Sequence, residues 1–227
     1  MKSKSILSLG LCACLVLSGC GISKTAGGAL IGTAGGALLG AAVGYYTGNT
    51  AVGTAVGATV GAGAGALIGN KMDKAAAAAA AVEGAELEKL TDEDGNTRAV
   101  KVTFDSGILF ATNKSTLGAD AQKNLAQFAE VLKTYDDADV AIYGHTDNTG
   151  SLAVNQRISK ERAEAVAKFL KSKGVAETQI KEVQGFDFQQ PVADNATAEG
   201  RAQNRRVEVF LYASDAMREA AEAGTLE

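Results

Sequence analysis

The sequence has no tryptophan, one proline, one histidine and three cysteines. Each scarcity closes off a class of function. Cys12 and Cys14 fall inside an N-terminal leader, so only Cys20 is expected in the mature chain. That excludes a disulfide framework and a thiolate zinc site. A metal would have to rest on His145 and scattered carboxylates, and no G-x-S-x-G elbow presents a serine nucleophile. The pattern implies no cofactor and argues for a chain that binds without catalysing. Basic residues number 22 against 26 acidic, a net charge of −4, which lacks the basic excess typical of nucleic-acid partners.

What is present is unevenly spread. Lys2 and Lys4 precede the apolar run Ile6–Leu17, too short for an ordinary membrane span, and Leu17-Ser18-Gly19-Cys20 follows. Residues 1–19 therefore read as an export signal. The four residues ending at Cys20 resemble the lipobox of bacterial lipoproteins. The resemblance implies cleavage before Cys20, acylation of that residue and a lipidated stretch over 20–24. Gly21, in place of an acidic residue, implies sorting to the outer membrane. A plain secretory signal with an incidental cysteine is the alternative.

Residues 25–70 carry no charged side chain. Glycine recurs at Gly28, Gly32, Gly36, Gly40, Gly44 and Gly48, then at Gly53, Gly57, Gly61, Gly65 and Gly69. Each helical glycine costs about 0.8–1.0 kcal/mol relative to alanine in water. Such spacing makes sense where helices approach closely, as in G-x-x-x-G packing in lipid. The register slips at Gly48-Asn49-Thr50, which reads as a turn, so the pattern predicts an αα-hairpin with arms roughly 30–36 Å long. The segment resembles the glycine-zipper domains of envelope lipoproteins. A bilayer-associated hairpin, a soluble or self-associating one, and flexible low-complexity chain remain open. Residues 71–97, with Ala75–Ala81 unbroken, predict a helical spacer, and Asp92-Glu93-Asp94-Gly95-Asn96 a turn at a domain boundary.

From residue 98 the composition is that of an ordinary globular domain. Val100, Val102 and Phe104 alternate as in a half-buried strand. Ala121, Leu125, Phe128 and Leu132 form a helical stripe. A strand over 139–144, a helix over 151–173 ended by Gly174, and strands over 180–186 and 205–212 follow. This predicts an α+β fold over 98–212, an α/β sandwich with helices packed on a mixed four-stranded sheet, and a tail over 213–227.

Three polar clusters punctuate that domain: Gly144–Gly150, a glycine-flanked loop after a strand; Asn155–Ala163, which places Asn155, Ile158, Arg162 and Val166 on one helix face; and Asn204–Glu208. An arginine on an apolar stripe needs a partner. Together the clusters resemble the signature of the OmpA-like peptidoglycan-binding domain, over about half of the chain, and with the lipobox and zipper the whole resembles OmpA-family lipoproteins. The resemblance implies a βαβαββ domain that holds the diaminopimelate of the wall peptide, a zwitterion. Asp147 then receives the ammonium and Arg162 grips the carboxylate. Asn155 and Asn113 match further contacts, Arg205 a rim position, and Thr146 and Gly150 lie in the loop that offers backbone amides. Bland alternatives are a structural Asp147–Arg162 ion pair, Arg205 as a strand-end surface charge and Asn113 as a turn residue. The stretch Gly185-Phe186-Asp187-Phe188 is more aromatic than the family pattern.

The resulting expectation is a lipid-anchored outer-membrane protein with its C-terminal domain in the periplasm. Its partners are peptidoglycan and the bilayer, the latter through Cys20 and the zipper, with self-association left open. The alternative is an assembly or membrane-perturbing lipoprotein whose zipper carries the function. A stator-like role is disfavoured, because it would start with a conventional transmembrane helix.

Overall fold

The computed structural model describes residues 60–111 and 114–226, together with positions 44, 53, 56 and 57. The leader, Cys20, Asn113 and most of the glycine-rich segment before residue 60 lie outside the described residues. In chain order the elements are α1 (Ala62–Ala80), β1 (Ala85–Thr91), β2 (Thr97–Asp105), α2 (Ser106–Leu109) and α3 (Ala119–Thr134). Then come β3 (Ala138–Gly144), α4 (Leu152–Ser172), β4 (Ile180–Gly185), α5 (Ala198–Asn204), β5 (Arg206–Ala213) and α6 (Asp215–Glu222).

The strands build one sheet in the order β1-β2-β5-β3-β4. β3 and β4 are parallel, joined by a crossover through α4, and the other neighbours pair antiparallel. The mixed sheet with packed helices is the predicted α+β class. Side chains alternate between two faces. Val100, Val102, Phe104, Val140, Ile142, Val207, Val209 and Leu211 turn to the first face and form the main core. Helix α3 meets it with Leu125, Phe128 and Leu132, and α4 with Ala163, Val166 and Leu170. Phe104 and Phe128 pack edge to face at 5.5 Å, the geometry their ring quadrupoles favour.

The sheet has five strands where the sequence predicts four, because the predicted spacer over 71–97 is built differently. Helix ends at Ala80, β1 then pairs along β2, and the Asp92–Asn96 turn closes that hairpin within the domain. Asn96 N–H donates to Asp92 Oδ1 at 2.8 Å to fix the turn. Nor does α1 stand off in solvent. Ile68, Met72, Ala75, Ala76 and Ala79 are each no more than 1% exposed. Lys71 pairs with Asp137 at 2.7 Å, and Thr97 Oγ1 donates to Asp73 at 2.7 Å. Alanine is weakly apolar, so its run signals helix without signalling burial; its small side chain nevertheless lets a helix close tightly on neighbours. The predicted tail likewise holds α6, capped by Ser214 and buried through Met217 and Ala221. Among the described residues, no helix is long and apolar enough to cross a membrane.

Two glycines seat α4 over the strand ends. Gly144 and Gly185 are register partners on β3 and β4. A Cβ on Gly144 would lie 2.0 Å from the Ser159 carbonyl oxygen, and one on Gly185 would lie 2.4 Å from Lys160 N. Only a missing side chain permits that approach. It brings α4 beside the loop leaving β3.

Candidate ligand-binding site

The loop from His145 to Ser151 connects the end of β3 to α4. Ser151 caps the helix by accepting from Val154 N–H, and Gly150 takes a φ of +88° just before it, a conformation that favours glycine. His145 N–H donates to the Arg206 carbonyl and Thr146 N–H to the Asp187 carbonyl, both backbone bonds. Asn155, from the first turn of α4, donates Nδ2 to the Thr149 carbonyl at 3.0 Å. The loop is thereby held from three sides, and its carboxylate is fixed in place.

That carboxylate is Asp147. Arg205 Nη1 donates to its Oδ2 at 2.6 Å and Thr149 N–H to its Oδ1 at 2.8 Å. Burial pushes the Asp147 carboxyl up, but the Arg205 guanidinium and the Thr149 donors outweigh it and hold it below the ordinary carboxylate range. Arg162 stands on the buried face of α4 at 5% exposure. Its guanidinium lies 5.2 Å above the Phe110 ring, and its Nε donates to the Lys114 carbonyl at 3.2 Å. Burial, then the charge of Arg205, lowers the Arg162 pKa, and Asp147 opposes them. Among the described residues no carboxylate pairs with Arg162 within 4.0 Å. The ion pair that forms is therefore Asp147–Arg205 and not Asp147–Arg162.

Three of the sequence-predicted residues, Asp147, Arg162 and Arg205, thus share one electrostatic neighbourhood. Asn155, Thr146 and Gly150 shape the loop. Asn113 and Cys20 fall outside the described residues. Two cations beside one anion leave a local positive excess, able to hold a carboxylate at Arg162 while Asp147 stays ionised to meet an ammonium.

A second charged group, unassigned from the sequence, supports the first from below. Arg206 Nε donates to Glu208 Oε1 at 2.7 Å, and His145 Nε2 lies 3.5 Å from Glu208 Oε2, all three side chains buried. Burial raises the Glu208 carboxyl, but His145 and Arg206 outweigh it and hold it far down. Burial lowers the His145 pKa, with Glu208 opposing, so the imidazole is held neutral. The ring stacks on Phe186 at 5.7 Å. Arg205 and Arg206 are sequence neighbours, yet one faces Asp147 and the other Glu208. Strand parity at the start of β5 was the available signal. Asn204, fully buried, accepts from Val192 and Ala193 N–H and donates to Asn195, which in turn accepts from Asn148 N–H at 3.3 Å. The loop after Phe186 is thus tied to the loop that carries Asp147.

The chain is similar to known proteins. Residues 109–205 match the OmpA family and residues 1–73 the YMGG-like Gly-zipper. The chain is 40% identical over 110 residues to the outer-membrane lipoprotein YfiB of Pseudomonas aeruginosa, covering 48% of this chain and 65% of that protein. It is 41% identical over 113 residues to the peptidoglycan-binding protein ArfA of Mycobacterium tuberculosis, covering 50% of this chain and 34% of that one. The matched stretch is less than two thirds of each of these relatives, and 28% of the Acinetobacter baumannii Omp38. Among solved structures, the cell wall anchor of the T6SS from Pseudomonas aeruginosa superposes with a TM-score of 0.53 at 28% identity, over 63% of this chain and 97% of that one.

Proposed function

We propose, from the premise that residues 109–205 are an OmpA-family domain, that this chain binds peptidoglycan without cleaving it and tethers the outer membrane to the wall. The single observation that carries the reading is the juxtaposition of an ionised Asp147 with Arg162, a buried guanidinium that feels the Asp147 charge but, among the described residues, makes no ion pair within 4.0 Å. The free end of diaminopimelate in a wall peptide has an ammonium and a carboxylate on one carbon. Asp147 takes the ammonium, displacing part of its bond to Arg205, and Arg162 takes the carboxylate through its Nη edge. Arg205 then rims the pocket and adds a second donor for the carboxylate. Asn155 is a further contact, Asn113 is assigned one by the family resemblance alone, and Thr146 and Gly150 shape the amide-bearing loop. The name of ArfA and the wall-anchoring role of the superposed T6SS protein support this assignment.

In the same reading Cys20 bears the lipid, the protein sits in the outer membrane with its domain in the periplasm, and neither nucleic acid nor a cofactor takes part. YfiB, named an outer-membrane lipoprotein, supports the location. The test is sedimentation of the lipid-free mature chain with purified sacculi. Asp147→Ala and Arg162→Ala each remove one charge-assisted contact worth about 1.5–3 kcal/mol, so each weakens binding roughly 10- to 100-fold. Wild-type affinity in the double variant would sink the assigned pocket.

A further inference from the structure

We infer that the second arm of the glycine-rich segment is a packing element of the folded domain and not a membrane element: its start, at Val56, covers the far face of the sheet, and its end, in α1, packs on the first face. Helices α1, α3, α4 and α6 all contribute to the core on the first face. The second face nevertheless carries an apolar cluster. Ala99 and Tyr212 are register partners across β2 and β5, and Ala141 and Phe210 across β3 and β5, with Tyr143 beside them. Each of the five is no more than 4% exposed. An antiparallel face open to water usually alternates polar side chains outward; this one has tyrosine, phenylalanine and alanine there instead. Leu90 and Phe186 border the cluster, and the described residue from the glycine-rich segment that packs into it is Val56, at 1% exposure.

The rest of the arm stays with the same domain. Val60 packs against the core of the first face. Gly65 and Gly69 face the β1–β2 hairpin. A Cβ on Gly69 would come within 2.9 Å of Asn96 Cβ and 3.2 Å of Asn96 Cα and Thr97 N, so this glycine serves close approach to protein. A hairpin with both arms in lipid needs this arm in the bilayer, and an arm docked on the sheet cannot be there. Membrane insertion is therefore confined to residues before Gly53, and the domain begins without an intervening spacer.

The test uses the mature chain with Cys20→Ser and Val56→Cys, so that position 56 holds its one thiol, in buffer free of lipid and detergent. A water-soluble maleimide is expected to react there at least roughly tenfold more slowly than at Asn70→Cys, an exposed position on α1. The ratio should hold on serial dilution. Equal rates overturn the cover. Protection lost on dilution also overturns it, by assigning the face to a second copy of the chain. Protection that arises only after phosphatidylethanolamine vesicles are added overturns it in favour of lipid insertion. Valine to cysteine is a near-isosteric change, and sacculus binding by both variants reports intact folding. Lost wall binding with the thiol at position 56 still protected would count against the proposed function alone.

Discussion

Met72→Ala measures how firmly α1 belongs to the domain. Met72 is 0% exposed and packs in the main core. Truncating a buried methionine removes its transfer free energy and leaves a cavity that relaxes only in part, at a cost of about 2–5 kcal/mol. Alanine is the better helix former, which returns a few tenths of a kcal/mol. For a folded unit of this size, each kcal/mol moves the melting temperature by about 2–4 °C, so a fall of roughly 5–15 °C is expected. Leu67, on the same helix but 39% exposed, is the internal control, and its alanine variant should lose less than about 1 kcal/mol. Far-UV circular dichroism melts of the lipid-free mature chain, at one protein concentration, provide the readout. If Met72→Ala melts within about 2 °C of the parent, the helix contributes nothing to the core and is the solvent-exposed spacer that its composition suggests.

Three further outcomes follow from the site. Gly144→Ala drives a Cβ onto the Ser159 carbonyl, 2.0 Å away in the present backbone, so α4 must lift; a loss of about 3 kcal/mol or more in urea unfolding is expected, with weaker sacculus binding. Glu208→Gln leaves Arg206 buried without its carboxylate and should cost about 3–5 kcal/mol in the same assay, while a variant within error of the parent would show that the buried pair is dispensable. His145 has a folded pKa below its ordinary 6.5, so the unfolded chain takes up its proton first on acidification. Stability due to this group is full above that value and falls as pH drops below it. Unfolding free energies measured between pH 7 and pH 5 should decline, and His145→Gln should flatten the decline.

Much of the site is legible in the chain because its residues lie in compact, ordered clusters. Asp147 sits in a loop bracketed by glycines, and Arg162 interrupts an apolar helical stripe, an anomaly that asks for a partner. The partner is less legible. Asp147 and Arg162 invite direct pairing, yet Arg205, remote in sequence, takes the carboxylate, because pairing across strands depends on register that no local pattern encodes. Strand parity sets Arg206 and Glu208 on one face of β5, but their meeting with His145 hides for the same reason. In the fold, β2, β3 and β5 announce themselves through alternating apolar residues, whereas β1 reads Ala-Glu-Leu-Glu-Lys-Leu-Thr and turns only Ala85 and Leu87 to the main core. A short, charge-rich edge strand looks like linker. Alanine helix α1 misleads in the opposite sense, since its burial comes from small size instead of hydrophobicity.

Competition with short wall-type peptides isolates the pair of charges most directly. With the other amino acid end held in a peptide bond, lysine equals diaminopimelate without the free-end carboxylate, so a lysine peptide and a diaminopimelate peptide differ only in the group assigned to Arg162. The diaminopimelate peptide is expected to displace the lipid-free chain from sacculi at concentrations where the lysine peptide does not, and Arg162→Ala should erase the difference. Equal displacement by the lysine peptide, or discrimination that persists without the Arg162 guanidinium, would contradict the account.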